Sequence, residues 1–264
     1  MQLGDYAEEI VASGFPAMRR QTGRTRAAQL DGYLARIVDQ DFAEAGHSVR
    51  RPAQLTHWLR AYASATATVA AFETIRDAAT GDRAEKPAKG SSEVYRDVLM
   101  RLWVLDALPA WLPTRNVIAE LTQAPTHHLV DPALAARLLG ATREAMLQGI
   151  PTSARGPSGG LLGALFESLV TQSIRVYAQS AESTVPHLRT ARGRQEVDLI
   201  VRAPDHRVVA IEVKWSATVN DDDVKHLHWL RRELGDQLAD AIVVTTGPTR
   251  GLLHLRAATR RSRH

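Results

Sequence analysis

Asp198, Glu212 and Lys214 are the residues of this chain whose types and spacing best suit chemistry. They stand in two runs that otherwise read as β-strands, Glu196-Val-Asp-Leu-Ile-Val-Arg and Val208-Val-Ala-Ile-Glu-Val-Lys-Trp. A short Pro204-Asp205 turn joins the runs and suggests an antiparallel hairpin. Side chains two apart on a strand share a face, so Glu212 and Lys214 project together while Ile211 and Val213 project to the other side. Ionisable groups are costly to bury unpaired inside apolar strands, and their retention there marks a site. Two carboxylates on adjacent strands repel one another unless a cation lies between them, and hard oxygen ligands suit Mg²⁺ or Mn²⁺. Such an ion would draw a phosphodiester oxygen and an attacking water into line. Lys214 would orient or help deprotonate that water and stabilise charge developing on phosphorus. The same three residues on the exposed face of an edge strand would instead form a cross-strand salt-bridge ladder. Spacing alone does not choose between the two.

The elements that must position these residues tip the balance. Upstream, Leu162, Leu165, Phe166, Leu169, Val170, Ile174 and Tyr177 recur at helical spacing, and Glu167 falls at the edge of that apolar stripe, where its carboxylate could face a neighbouring sheet. Downstream, Asp221 to Asp223 sit where acidic residues favour a helix start, before Leu227, Leu230 and Leu234. A last strand, Ala241-Ile-Val-Val-Thr-Thr, ends at Gly247. The order is helix, strand, strand, helix, strand. Just before the Asp198 strand, Arg192 and Arg194 flank Gly193 and are candidates for phosphate contact, with a solvated hairpin end as the alternative. Trp215 and Ser216 follow Lys214 directly and are candidates to line the site, with core the favoured alternative for Trp215. His226 and His228, near Asp222 and Asp223, have metal-binding residue types but no convincing ligand spacing, so helix surface is expected. His127-His128 is expected in a turn.

Everything before about Gln148 reads as mainly helical. One long amphipathic helix is predicted from Thr25 to about Ala45, with Leu30, Leu34, Ile37, Val38 and Phe42 inward. A second opens at Arg51-Pro52 and buries Leu55, Trp58, Leu59 and Tyr62. A third carries Val69, Phe72 and Ile75 and ends near Gly81. After a loop to Gly90, Ser91 or Ser92 caps a helix running through Tyr95, Val98, Leu99 and Leu102 to Leu105. Glu93 to Leu105 has the place of a recognition helix, but Leu102-Trp-Val-Leu is too apolar for a groove and suits core packing. Asp131-Pro132 starts a short helix that stops at Gly140.

Pro151, Gly156, Pro157, Gly159 and Gly160 crowd together between Ile150 and Gly160, and the domain boundary is placed there. Gly156-Pro-Ser-Gly-Gly follows no strand and lacks a Gly-Lys-Ser/Thr ending, so it reads as linker, and no P-loop pattern occurs in this chain. With no cysteine, disulfides and thiolate zinc sites are excluded. No signal-like or bilayer-spanning stretch is present, so a soluble cytoplasmic protein with no membrane association is expected. The formal net charge is +4, and the excess belongs to the C-terminal half. Arg256, Arg260, Arg261 and Arg263 make a basic tail, compatible with a polyanionic partner or with an ordinary solvated terminus.

Gly163-Ala-Leu-Phe-Glu-Ser-Leu-Val, Gln195-Glu-Val-Asp-Leu-Ile-Val and Ile211-Glu-Val-Lys-Trp-Ser resemble the core motifs of PD-(D/E)XK nuclease-like domains. More specifically, about residues 4 to 247 resemble the C-terminal part of a bacterial and archaeal group of AAA+ ATPases that carries the domain of unknown function numbered 4143. Gly14-Phe-Pro and His128-Leu-Val-Asp-Pro-Ala-Leu are similar to that group's pattern. The resemblance implies an α+β two-domain chain. Residues 1–150 would be a helical region with a winged-helix-like part, and residues 151–264 a PD-(D/E)XK nuclease-like α/β domain with a basic tail. In that group a P-loop ATPase domain comes first; its Walker motifs are absent, so a truncated or split member with no ATP site is expected. The matching positions are Glu167, Asp198, Glu212 and Lys214, of which Asp198 and Glu212 would hold Mg²⁺ or Mn²⁺. The expected function is metal-dependent cleavage or processing of nucleic acid, DNA foremost. The alternative is a catalytically silent domain that binds DNA or a protein partner.

Overall fold

The computed structural model describes residues 2–80, 86–114, 120, 122–148, 160–190 and 193–247. It is a mixed α/β molecule with two compact units. The first comprises Met1–Leu108 and Ala124–Ser173, the second Pro109–Gln123 and Ile174–His264. The division does not follow chain order, because strand β1 (Ala110–Trp111) pairs in parallel with β2 (His187–Arg189) and so joins the C-terminal unit. Apart from Gly160, the Pro- and Gly-rich boundary segment lies outside the described residues.

The first unit is helical. It contains α1 (Leu3–Ala12), α2 (Pro16–Arg19), α3 (Gly23–Arg36), α4 (Phe42–Glu44), α5 (Pro52–Ser64), α6 (Phe72–Ala78), α7 (Lys89–Arg101), α8 (Pro132–Leu138) and α9 (Arg143–Leu147). Helix α10 (Leu161–Ser180) begins in this unit and ends in the second. The long helix predicted from Thr25 to Ala45 is continuous only through a π-helical turn, Ile37–Asp41, between α3 and α4. There the Phe42 N–H donates to Ile37 O, and Ile37, Val38 and Phe42 all reach the core.

Helix α5 opens on Pro52 and buries Leu55, Trp58, Leu59 and Tyr62 as expected. It ends at Ser64, past which the Ala67 N–H turns to His127 O at 2.8 Å and the Ser64, Thr66 and Thr68 hydroxyls bond back to the Ala61, Ala63 and Ala65 carbonyls. Ala67 adopts φ 58°, so Val69 stands outside the following helix rather than on it. The Ser91/Ser92 cap is also corrected: α7 starts at Lys89 with Ala88 before it. Ser92 is buried and accepts the Trp58 indole N–H at 2.7 Å, so its oxygen serves the core instead of a helix end. The same helix stops at Arg101 rather than Leu105, and Trp103 turns out at φ 56° with 74% of its surface exposed. His127-His128 is buried and lies in no turn; His127 Nε2 bonds Ala70 O at 2.8 Å, and its ring meets Tyr62 and Phe72 edge-on.

The motif residues Gly14 and Asp131 meet in this unit. Buried Asp131 accepts from the Ser13 hydroxyl, from Gly14 N–H at 2.9 Å and from Ala133 N–H at 2.9 Å, capping α8 while holding the end of α1.

The second unit holds two three-stranded sheets, ordered β1-β2-β3 and β4-β5-β6. The strands are β3 (Glu196–Val197), β4 (Leu199–Arg202), β5 (Val208–Lys214) and β6 (Leu238–Thr245). The predicted hairpin is present: β4 and β5 pair antiparallel, Leu199 opposite Ile211 and Arg202 opposite Val208. Strand β6 then returns parallel to β5 after the crossover helix α11 (Asp221–Leu234). Asn220 caps α11, accepting from Asp222 and Asp223 N–H, and the Asp223 carboxylate accepts Asn220 N–H in return. The core joins Leu227 and Leu230 of α11 to Trp111, Leu188, Val197, Ile200, Val208, Ala210, Leu238 and Ala241. No helix among the described residues is long and apolar enough to cross a membrane.

A candidate site of two carboxylates and a lysine

One face of β5 changes character along its length. Val208 and Ala210 lie in the core; Glu212 and Lys214, two and four residues on, continue the same face as an acid and a base. Glu212 is 2% exposed, whereas Lys214 keeps a third of its side chain in solvent. Ile211 and Val213, on the opposite face, are buried. The Lys214 ammonium donates to Glu212 Oε2 at 3.3 Å.

Asp198 stands at a break. The single run read from the sequence divides there, β3 pairing with β2 and β4 with β5. The β4–β5 register, continued by one pair, sets Asp198 opposite Glu212. In place of a backbone pair, Asp198 Oδ2 accepts the Val213 N–H at 2.7 Å. The break therefore aims a carboxylate at β5 between the two ionisable residues.

The electrostatics are those of an incomplete site. Burial, and then the charge of Asp198, push the Glu212 carboxyl up to about 9, against the opposing pull of Lys214. No donor reaches Glu212 Oε1. At Lys214, burial works to lower the ammonium's pKa, but Glu212, Asp198 and Asp223 together outweigh it and hold the group above the ordinary lysine value. Burial and Asp198 likewise raise Glu196, partly offset by Arg189, which pairs with it at 3.2 Å across β2 and β3. Asp198 and Glu212 have the donor chemistry for a hard divalent cation. Among the described residues no three His, Asp or Glu groups are arranged to hold a metal ion, so two protein carboxylates are what the site offers. That number suits Mg²⁺, which commonly takes one or two carboxylates and completes its shell with water and substrate phosphate.

Of the other predicted residues, Glu167 is half-buried on α10, in the stretch that belongs to the first unit. Arg194 is exposed in the bend before β3, and Arg192 lies outside the described residues, as does the basic tail. Trp215 is half-buried, and Ser216 donates to Thr218 O. His228 is exposed on α11 as expected. His226 is not simply helix surface: it is half-buried, its Nδ1 lies 2.6 Å from Gln195 Oε1, and the charges of Lys214 and Asp198 act on its ring. Sequence reasoning passed over it because Gln195 is 31 residues away in the chain and only the packing of α11 against β3 brings them together.

An α/β unit with a buried glutamate, a half-buried aspartate facing it and an adjoining lysine, together with a helical unit, is thus the class of molecule in hand. Residues 3–145 match the family described as Domain of unknown function (DUF8612), and the chain belongs to that family. Residues 162–254 match a second description, Domain of unknown function (DUF4143). The single resemblance drawn across residues 4 to 247 therefore resolves into two, with the helical half belonging to a family of its own. No curated protein and no solved structure matches the chain.

Proposed function

We propose that the second unit is a metal-dependent nuclease domain of the PD-(D/E)XK type, acting on a nucleic acid, with DNA as the first substrate to test. The observation that carries this reading is Glu212: a carboxyl 2% exposed, with one oxygen lacking a donor, held beside a second carboxylate. Without a cation, the pair is relieved only by a proton that Glu212 retains and shares with Asp198, as its raised pKa reflects. A cation shared by Asp198 and Glu212 would satisfy the unmet oxygen and remove the repulsion between them.

In this reading Asp198 and Glu212 hold Mg²⁺ or Mn²⁺. The ion, when bound, supplies Lewis-acid polarisation and neutralises charge developing on the phosphate. Lys214, fixed by its bond to Glu212 and kept cationic, donates to a phosphoryl oxygen as negative charge grows there. Arg192 and Arg194 contact the flanking backbone phosphates. The helical unit, winged-helix-like in the resemblance, adds substrate or partner contacts. The competing reading is a silent binding domain in which the Lys214 ammonium simply donates to the Glu212 carboxyl, favoured by their 3.3 Å contact.

The two separate in one experiment. Labelled single-stranded, duplex and branched DNA and RNA are incubated with the protein in Mn²⁺, Mg²⁺ or EDTA, beside Asp198→Ala, while Mn²⁺ binding is followed by calorimetry. Metal-dependent cutting that the substitution abolishes supports the nuclease. A folded wild type that binds no Mn²⁺ and cuts nothing leaves the silent domain.

A further inference from the structure

The polar groups around Asp198 extend beyond the two acids and the lysine. His226 lies on α11, next to Leu227, which shares the core with Val197, Ile200 and Ala210. Its Nδ1 is 2.6 Å from Gln195 Oε1, and Gln195 immediately precedes β3, three residues before Asp198. A carbonyl oxygen can only accept, so Nδ1 carries the hydrogen and, in the neutral ring, Nε2 carries the lone pair. Gln195 thereby sets both the tautomer and the orientation of the imidazole. The charges of Lys214 on β5 and Asp198 at the β3–β4 break both act on this ring, as does Lys225 on its own helix.

The other groups at this place are committed. Asp198 Oδ2 accepts from Val213 N–H, and Lys214 is a donor bound to Glu212. Two further carboxylates act on this place, but Glu196 pairs with Arg189 and Asp223 accepts the Asn220 N–H. If Asp198 and Glu212 direct lone pairs to a cation, His226 Nε2 is the acceptor among these described groups not already engaged. We propose that His226, oriented by Gln195, accepts the proton of the water that attacks the phosphodiester. The inference rests on the nuclease reading. In the step, the water O–H bond breaks and its proton passes to Nε2. The water oxygen bonds to phosphorus, and the P–O bond to the leaving oxygen breaks. The imidazolium then releases its proton to solvent, while the leaving oxygen takes one. Burial, followed by Lys225 and Lys214, lowers the imidazole's pKa against the opposing effect of Asp198, which favours the neutral ring this role needs.

Single-turnover and steady-state cleavage of the substrate identified in the panel above, in Mn²⁺, would test this with wild type, His226→Ala and Gln195→Ala. Loss of a general base should reduce kcat by about 100-fold with KM little changed. Added imidazole should restore activity to His226→Ala but not to Asp198→Ala, which a merely structural role for His226 would not predict. Gln195→Ala, which leaves the ring in place but unoriented, should show a smaller loss of kcat. Wild-type cutting that His226→Ala matches, or a loss that raises KM and resists imidazole, overturns this inference alone. A wild type that cuts none of the substrates overturns the nuclease reading and this inference with it.

Discussion

Asp198 accepts the Val213 N–H at 2.7 Å, which fastens the carboxylate at the β3–β4 break to the β5 backbone between Glu212 and Lys214. A backbone hydrogen bond thus holds a negative charge against a buried acid. Burial, and then that charge, make Glu212 keep its proton to about 9 unless a cation compensates.

This has a consequence for stability in EDTA. A carboxyl that binds its proton more tightly folded than unfolded contributes stability at low pH. That contribution is lost as pH rises from the ordinary value of 4.5 toward about 9. Stability should fall across this window with a slope of about 1.4 kcal/mol per pH unit at most. Lys214 is raised from 10.5, so its contribution is lost only above the window. Urea denaturation at a series of pH values should show the fall in wild type and a flatter line in Glu212→Gln; equal slopes would remove Glu212 as the cause.

Gly247, at the end of β6, has no room for a side chain. A Cβ there would lie 2.3 Å from Ala217 O, and the neighbouring Thr246 N–H donates to Ser216 O at 3.0 Å. Gly247→Ala must displace the loop that follows Lys214, costing about 1–3 kcal/mol. Denaturant titration unable to distinguish the variant from wild type would show that the loop moves freely.

In the first unit, Asp131→Ala strands three donors, from Ser13, Gly14 and Ala133, around a buried position. The expected loss is about 3 kcal/mol or more, with Asp131→Asn losing less because one acceptor oxygen remains. Thermal unfolding of the pair checks both the size and the order; an alanine variant as stable as the asparagine one would contradict it.

Much of the second unit is legible along the chain. The alternation in Val208-Val-Ala-Ile-Glu-Val-Lys, the turn at Pro204-Asp205 and the acidic start at Asp221 are local signals, and each element formed where they point. Strands β1 and β2 left no comparable trace: Ala110–Trp111 is two residues long, and His187–Arg189 follows Pro186. Both depend on partners distant in sequence. In the helical unit, Ser92 has the residue type of a cap, but the indole of Trp58, 34 residues earlier, takes its oxygen. Trp103 is apolar and therefore expected inside, yet the left-handed turn after α7 faces it to solvent.

The sequence by itself determined that Glu212 and Lys214 share a face, because side-chain alternation is a property of one strand. It also determined that an acid would stand near them, because a short turn returns β5 beside β4. Only the tertiary structure decided that the strand breaks at Asp198, that Glu212 is sealed from solvent with an oxygen unmet, and that Gln195 turns His226 into their company. Those three features arise from the packing of α11 and of two separate sheets, and hydrogen bonds across such distances carry no periodicity that a linear chain can display.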